Sequence, residues 1–147
     1  KHYDYGTKIT RLAFHSEEMV DDLRGFGVVP RKTFKVRWIY NIKSDLVNHF
    51  IRGYFDGDGC ITYNGISPAV KIVGTKHFLV GMLYCISKAI DINEDRKLSK
   101  RHKNRKNNIR TLEIGGRLQV KRFCDFIYAD ATVFLTRKRK RFDELTI

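Results

Sequence analysis

The sequence predicts an α+β fold in which an antiparallel sheet is backed by helices. Three observations carry this reading. From Asp45 onward, apolar residues alternate between helical and two-residue spacing, in the order helix–strand–strand–helix–strand–strand–helix, with one more helix at the end. A shorter strand–cap–helix unit nearer the start repeats part of that order at an offset of 59, which aligns Ser16 with Thr75. Hydrophobic residues make up 42% of the 147 positions, enough for one buried core or two small related halves.

Taken in order, residues 8–14 read as a strand. Ser16 caps a short helix through Met19, Val20 and Leu23, with Glu17 and Glu18 favouring its N-terminus. Gly25-Phe26-Gly27 ends that helix, and residues 33–38 read as extended. Asp45 is placed as the cap of a helix carrying Leu46, Val47, Phe50, Ile51, Tyr54 and Phe55. Gly53 and Gly57 lie four apart on it, so one stripe has no side chains and another backbone can come close. The helix stops in Asp56-Gly57-Asp58-Gly59, and residues 60–63 read as a strand. Residues 70–73 form the next strand, Thr75 caps, and residues 77–89 are a helix with Leu79, Met82, Leu83 and Ile86 on one face. A basic stretch crowds around a turn at Asn107-Asn108. Residues 110–114 return as a strand broken by Gly115-Gly116, residues 118–128 are helical, and a last helix begins near Ala131.

The balance of charge bounds the partner. A net charge of +13 and a pI near 9.9 imply a polyanion. No apolar run is long enough to cross a bilayer and no signal peptide opens the chain, so nucleic acid is favoured over a membrane surface. Cys60, Cys85 and Cys124 are odd in number and lack zinc-ligand spacing. They are expected as buried small hydrophobes in an intracellular, reducing compartment (cytoplasm, nucleoid or organelle matrix), not in a secreted protein. With one sheet face on the helices, the other is free for a DNA major groove. Alternation points Ile61, Tyr63, Val70 and Ile72 inward and leaves Thr62, Asn64, Lys71, Ala69 and Val73 outward. Arg96, Lys97, Lys100, Arg101, Lys103, Arg105, Lys106 and Arg110 are the cations expected to reach phosphates or guanine edges from the basic hairpin.

The stretch Phe50-Ile51-Arg52-Gly53-Tyr54-Phe55-Asp56-Gly57-Asp58-Gly59 carries the most specific signal. An EF-hand calcium loop is excluded, because counting from Asp56 puts Cys60 at position five and Ser67 at position twelve. Residues 51–59 resemble, without a gap, the nine-residue signature of the LAGLIDADG homing endonucleases, and the stretch is similar to the second copy in two-motif members. The resemblance implies a curved antiparallel saddle backed by helices and a site-specific endonuclease acting on double-stranded DNA. The family matches imply Asp58 as catalytic acid and metal ligand, with the Gly57 carbonyl as a supplementary ligand. Asp56 matches the family's structural acid, and joins Gly53 and Gly57 at the helix interface. Lys138, with Arg137 as its neighbour, matches the basic residue the family keeps near the phosphate. The implied cofactor is Mg2+, with Mn2+ or Ca2+ able to substitute in binding.

One departure matters: the family brings two motif helices together, and this sequence holds one. Residues 1–42 are therefore read as the remainder of a first half whose opening helix is absent, and 43–147 as a complete half. The implied partner is a second motif helix, from a missing N-terminal segment or a second chain. An intron-encoded or free-standing origin is expected rather than an intein. The alternative reading is a non-cleaving nucleic-acid-binding protein of the same fold, an intron maturase or a transcription regulator.

Overall fold

The computed structural model describes residues 13, 15–63, 65–93, 98–100 and 108–146. Helix α1 (Glu17–Gly25) starts where Ser16 accepts a hydrogen bond from the Met19 amide, and it buries none of its residues. Helix α2 (Val47–Asp58) is followed by β1 (Cys60–Tyr63), β2 (Pro68–Thr75) and α3 (Lys76–Ile90). Then come β3 (Ser99–Lys100), β4 (Ile109–Gly115), α4 (Arg117–Tyr128) and α5 (Thr136–Thr146). The strands form one antiparallel sheet in the order β1-β2-β4-β3. This is the α+β architecture the sequence predicts.

The core lies on one side of that sheet. Val70, Ile72, Leu112 and Ile114 point into it, and α3 and α4 cover them with Phe78, Leu79, Met82, Ile86, Val120, Phe123 and Ile127. Two aromatic groups flank α2. Phe55 stacks with Phe123 and Phe142 at ring separations of 5.6 and 5.5 Å, and Phe50 and Tyr54 meet Phe78. Such pairs add to the free energy of burial through ring quadrupoles. Thr75 caps α3 as expected, accepting from the Phe78 amide while its hydroxyl donates to the Val36 carbonyl.

The structure departs from the sequence reading at four places. Asp45 does not cap α2. It lies inside a 3-10 turn (Ser44–Leu46), and Leu46 takes the cap position without a side-chain bond. Residues 33–38 are not an extended strand. A 3-10 turn (Lys32–Phe34) follows Arg31 at φ 57, and the stretch is held by side chains, with Asn108 donating to the Phe34 carbonyl and Thr75 to that of Val36. The last helix begins at Thr136, not near Ala131, for reasons that lie in α2 and are given below. Cys60 is exposed rather than buried, because it opens the edge strand on the sheet's uncovered side; Cys85 is half-buried and only Cys124 is buried. Burial pushes the Cys124 thiol up to about 11, so it is a packing group rather than a nucleophile. Of the strand expected over residues 8–14 only Ala13 is described, and the turn position Asn107 lies outside the described residues.

Trp38 shows how the segment before α2 is fixed to the rest. Its ring meets Phe50 and Phe78 at 5.5 Å each, and it lies directly over Gly81 of α3, where an added Cβ would overlap the indole. Replacing Gly81 by alanine is expected to destabilise the fold by ~1–3 kcal/mol, since a packed core resists an inserted methyl. A urea titration followed by Trp38 fluorescence should show a lower midpoint with an unchanged slope.

Candidate nucleic-acid interface and metal centre

Helix α2 has two chemically different sides. Its inward side buries Ile51 and Phe55 together with two charged groups, Arg52 and Asp56. Arg52 donates from Nε to the Val133 carbonyl at 3.1 Å, from a guanidinium nitrogen to the Ile127 carbonyl at 3.1 Å, and meets His49 Nδ1 at 2.6 Å. Asp56 accepts from the Tyr128 hydroxyl at 3.1 Å and from the Leu135 amide at 2.9 Å. Buried charges need such partners. The partners hold residues 131–135 in an irregular path, with Asp130 at φ 51, so the helix starts only afterwards. Asp56 thus ties α2 to α4 and to the passage before α5.

On the other side, Gly53 and Gly57 are exposed, and a Cβ at either would meet nothing within 4 Å. The stripe expected to admit a second backbone is thus open. At the end of α2, Asp58 is exposed while Asp56 is buried. Gly59 is required there, because an added Cβ would strike the Phe55 ring and carbonyl. Tyr54 stands one turn before Asp58. Its hydroxyl donates to the Val73 carbonyl at 2.9 Å, and burial, with the Asp58 carboxylate adding to it, pushes the phenol up to about 12.

Strand β1 leaves this helix end at once and carries the chain onto the open sheet face. Register places Cys60, Lys71 and Glu113 in one row, and Thr62, Ala69 and Gly115 in the next. Lys71 and Glu113 form an ion pair at 3.4 Å with both side chains partly exposed. Thr62 is exposed and donates to the Ala69 carbonyl. Lys71 and Thr62 thus lie where alternation put them. Ile61 is half-buried and Tyr63 is 45% exposed, since an edge strand is only partly covered.

Lys100 and Arg110 pair with each other and share the parity of Leu112 and Ile114, so they emerge on the helix side at the end of the sheet. Asn64, Arg96, Lys97, Arg101, Lys103, Arg105 and Lys106 lie outside the described residues. Lys138 reaches the same end of α2: it is 8% exposed and donates to the carbonyls of Phe55 and Gly59. Arg52 and Tyr128 were not singled out in the sequence, although a lone cation within an apolar helical stretch is the pattern that could have marked the first.

The donor set at the α2 end fits a hard cation. Among the described residues there is no group of three or more His, Cys, Asp and Glu side chains that could enclose a metal. One exposed carboxylate next to the peptide carbonyls of a helix end is what magnesium tolerates, since it keeps several waters and takes one or two carboxylates with a substrate phosphate. Such a set is too sparse for a structural zinc.

These features define a two-layer α+β domain with a glycine-open helix, an exposed acid at its end and a free sheet face. The sequence profile of the LAGLIDADG-like domain matches residues 45–128, more than half of the chain, and the protein belongs to that family. Three solved structures are similar in fold. The homing endonuclease I-TnaI has 22% identity and a TM-score of 0.45 over 71% of this chain and 69% of its own. The homing endonuclease I-CvuI, in complex with the I-CreI target DNA in the presence of Mg, has 16% identity and a TM-score of 0.46 over 70% and 65%. The LAGLIDADG homing endonuclease I-LtrWI, bound to target DNA, has 13% identity and a TM-score of 0.46 over 69% and 35%. No curated protein sequence matches significantly.

Two expectations follow from the buried groups. Removing the Asp56 carboxylate in Asp56→Ala leaves the Tyr128 hydroxyl and Leu135 amide without their acceptor, and should cost roughly 2–4 kcal/mol in chemical denaturation. Burial, with Asp56 beside it, also raises the Tyr128 phenol, as it does for Tyr54. A phenol raised by folding binds its proton more tightly in the native state. Its stabilising contribution is complete below the ordinary value near 10 and is lost as pH rises toward 12. Thermal melts should therefore fall steadily above pH 10, and less steeply in Tyr54→Phe.

Proposed function

We propose that this protein is a site-specific, divalent-metal-dependent endonuclease of double-stranded DNA, or the larger part of one. The observation that carries the reading is the division of labour at the end of α2. Asp56 is buried and spent on the fold, whereas Asp58 is exposed at the seam between the glycine-open helix face and the free sheet face. A net charge of +13 supports a polyanionic partner. The matched solved structures include homing endonucleases with target DNA, one of them in the presence of Mg with the DNA not cleaved.

In this reading the free sheet face lies in the major groove. Thr62 and Lys71 meet the duplex there, and the cations near residues 96–110 hold phosphates. Asp58 and the Gly57 carbonyl would hold Mg2+, which when bound neutralises charge at the scissile phosphate and supplies an activated water. The work of the chain is to aim the Asp58 carboxylate and to exclude alternatives around it, with Phe55 and Gly59 closing the space behind. A second motif helix, on the open stripe at Gly53 and Gly57, would supply the second acid needed for the opposite strand. Residues 1–42 and 43–147 are then parts of two related halves, and the element is intron-encoded or free-standing.

Incubating the protein and its Asp58→Asn variant with a randomised plasmid library and Mg2+ tests this. Product cut at a defined sequence, nicked where the chain acts alone and linear where a second motif helix joins it, is expected from the parent, falling by at least ~100-fold in the variant, as for loss of a group that stabilises charge in the transition state. DNA binding should persist in the variant and weaken steeply between 50 and 200 mM salt in both. Salt-sensitive binding without any cleavage by the parent would reject the nuclease in favour of a non-cleaving maturase or regulator.

A further inference from the structure

The Lys138 side chain is spent on the end of α2. Its ammonium donates to the Phe55 carbonyl and to the Gly59 carbonyl, and stands 4.9 Å from the centre of the Phe55 ring. Those two carbonyls bracket the segment Asp56-Gly57-Asp58. The Phe55 carbonyl also accepts the Gly59 amide at 2.8 Å, and a cation at the C-terminal end of a helix meets the negative pole of its dipole. One ammonium therefore ties both ends of the acidic turn to α5. An ammonium has three donors, and two are used here. With 8% of the residue exposed, little of it is left to meet a phosphate. Burial, reinforced by Arg137, lowers the Lys138 ammonium from its ordinary value, while Asp56 and Asp58 act in the opposite direction.

We propose that Lys138 is a positioning residue: by holding the Phe55 and Gly59 carbonyls together it fixes the direction in which Asp58 leaves the helix, and through it the cation affinity of that carboxylate. The inference rests on the reading of Asp58 as a metal ligand. It moves Lys138 from the substrate side of the site to its support. Such supporting bonds to a liganding group typically change metal affinity by about 10–100-fold when removed.

Mn2+ binding to the intact chain without DNA, followed by the electron paramagnetic resonance of the free ion, separates the possibilities. Parent, Asp58→Asn, Lys138→Met and Lys138→Arg are compared, alongside Mg2+ titrations of cleavage. Lys138→Met should bind Mn2+ about tenfold more weakly and need correspondingly more Mg2+ for half-maximal rate, with the rate at saturating Mg2+ within a few-fold of the parent. Lys138→Arg should lie between, because a rigid planar fork cannot reach both carbonyls in the same way as a compact ammonium. Unchanged Mn2+ affinity in Lys138→Met overturns the proposal. So does a rate loss that saturating Mg2+ does not restore, the mark of a group acting on the substrate. Should circular dichroism show Lys138→Met unfolded, Lys138→Arg carries the comparison, and parental affinity there overturns the proposal. A parent that binds Mn2+ no better than Asp58→Asn removes the metal-ligand reading of Asp58 instead.

Discussion

The constraint on which the rest depends is the burial of charge around α2. Arg52 and Asp56 on the helix, and Lys138 from α5, are each 9% exposed or less. An unpaired charge in such a place costs several kcal/mol, so each must find hydrogen-bonding partners as the chain folds. The partners are mostly backbone groups at helix ends and in the irregular passage before α5: the carbonyls of Ile127 and Val133, the amide of Leu135, and the carbonyls of Phe55 and Gly59. The irregular passage between α4 and α5 is thus defined by the helix it packs on. The arrangement also decides which acid of the motif faces solvent.

The seam where α2 meets β1 unites two layers with different tasks. On the covered side, Val70, Ile72, Leu112 and Ile114 supply the apolar surface that α3 and α4 bury. On the other side the row Cys60, Lys71, Glu113 starts two residues beyond Asp58. The exposed acid and the polar sheet face are therefore neighbours in sequence as well as in space. A displacement of α2 along its axis would move both together.

Much of this was legible in the sequence. Period-two alternation in β2 and β4 and period-3.6 spacing in α3 and α4 gave elements that the structure reproduces, because one-sided burial imposes those periods. Thr75 and Ser16 were legible as caps since a hydroxyl before an apolar helix has few other uses. The irregular segments were not legible. Residues 33–38 look extended by composition, yet the Lys35 and Val36 amides turn back to the Lys32 carbonyl, and Asn108 and Thr75, distant in the chain, donate to the Phe34 and Val36 carbonyls. Phe134 and Leu135 look like the start of a helix, yet Asp56 takes the Leu135 amide. Local pattern cannot reveal a partner 79 residues away. For the site, motif spacing located Asp58, Asp56 and the open glycines. It could not show that Lys138 points back at the helix, because that direction is set by the path of 131–135.

The exposed sulfur of Cys60 carries a practical consequence. Of the three thiols it alone faces solvent, on an edge strand, while Cys124 is sealed in the core and Cys85 is half-covered. Alkylating reagents will therefore select it first, and a fluorophore or spin probe attached there would sit on the row that holds Lys71. The molecule thus brings its own reporter position for whatever approaches that surface, with no engineered cysteine required.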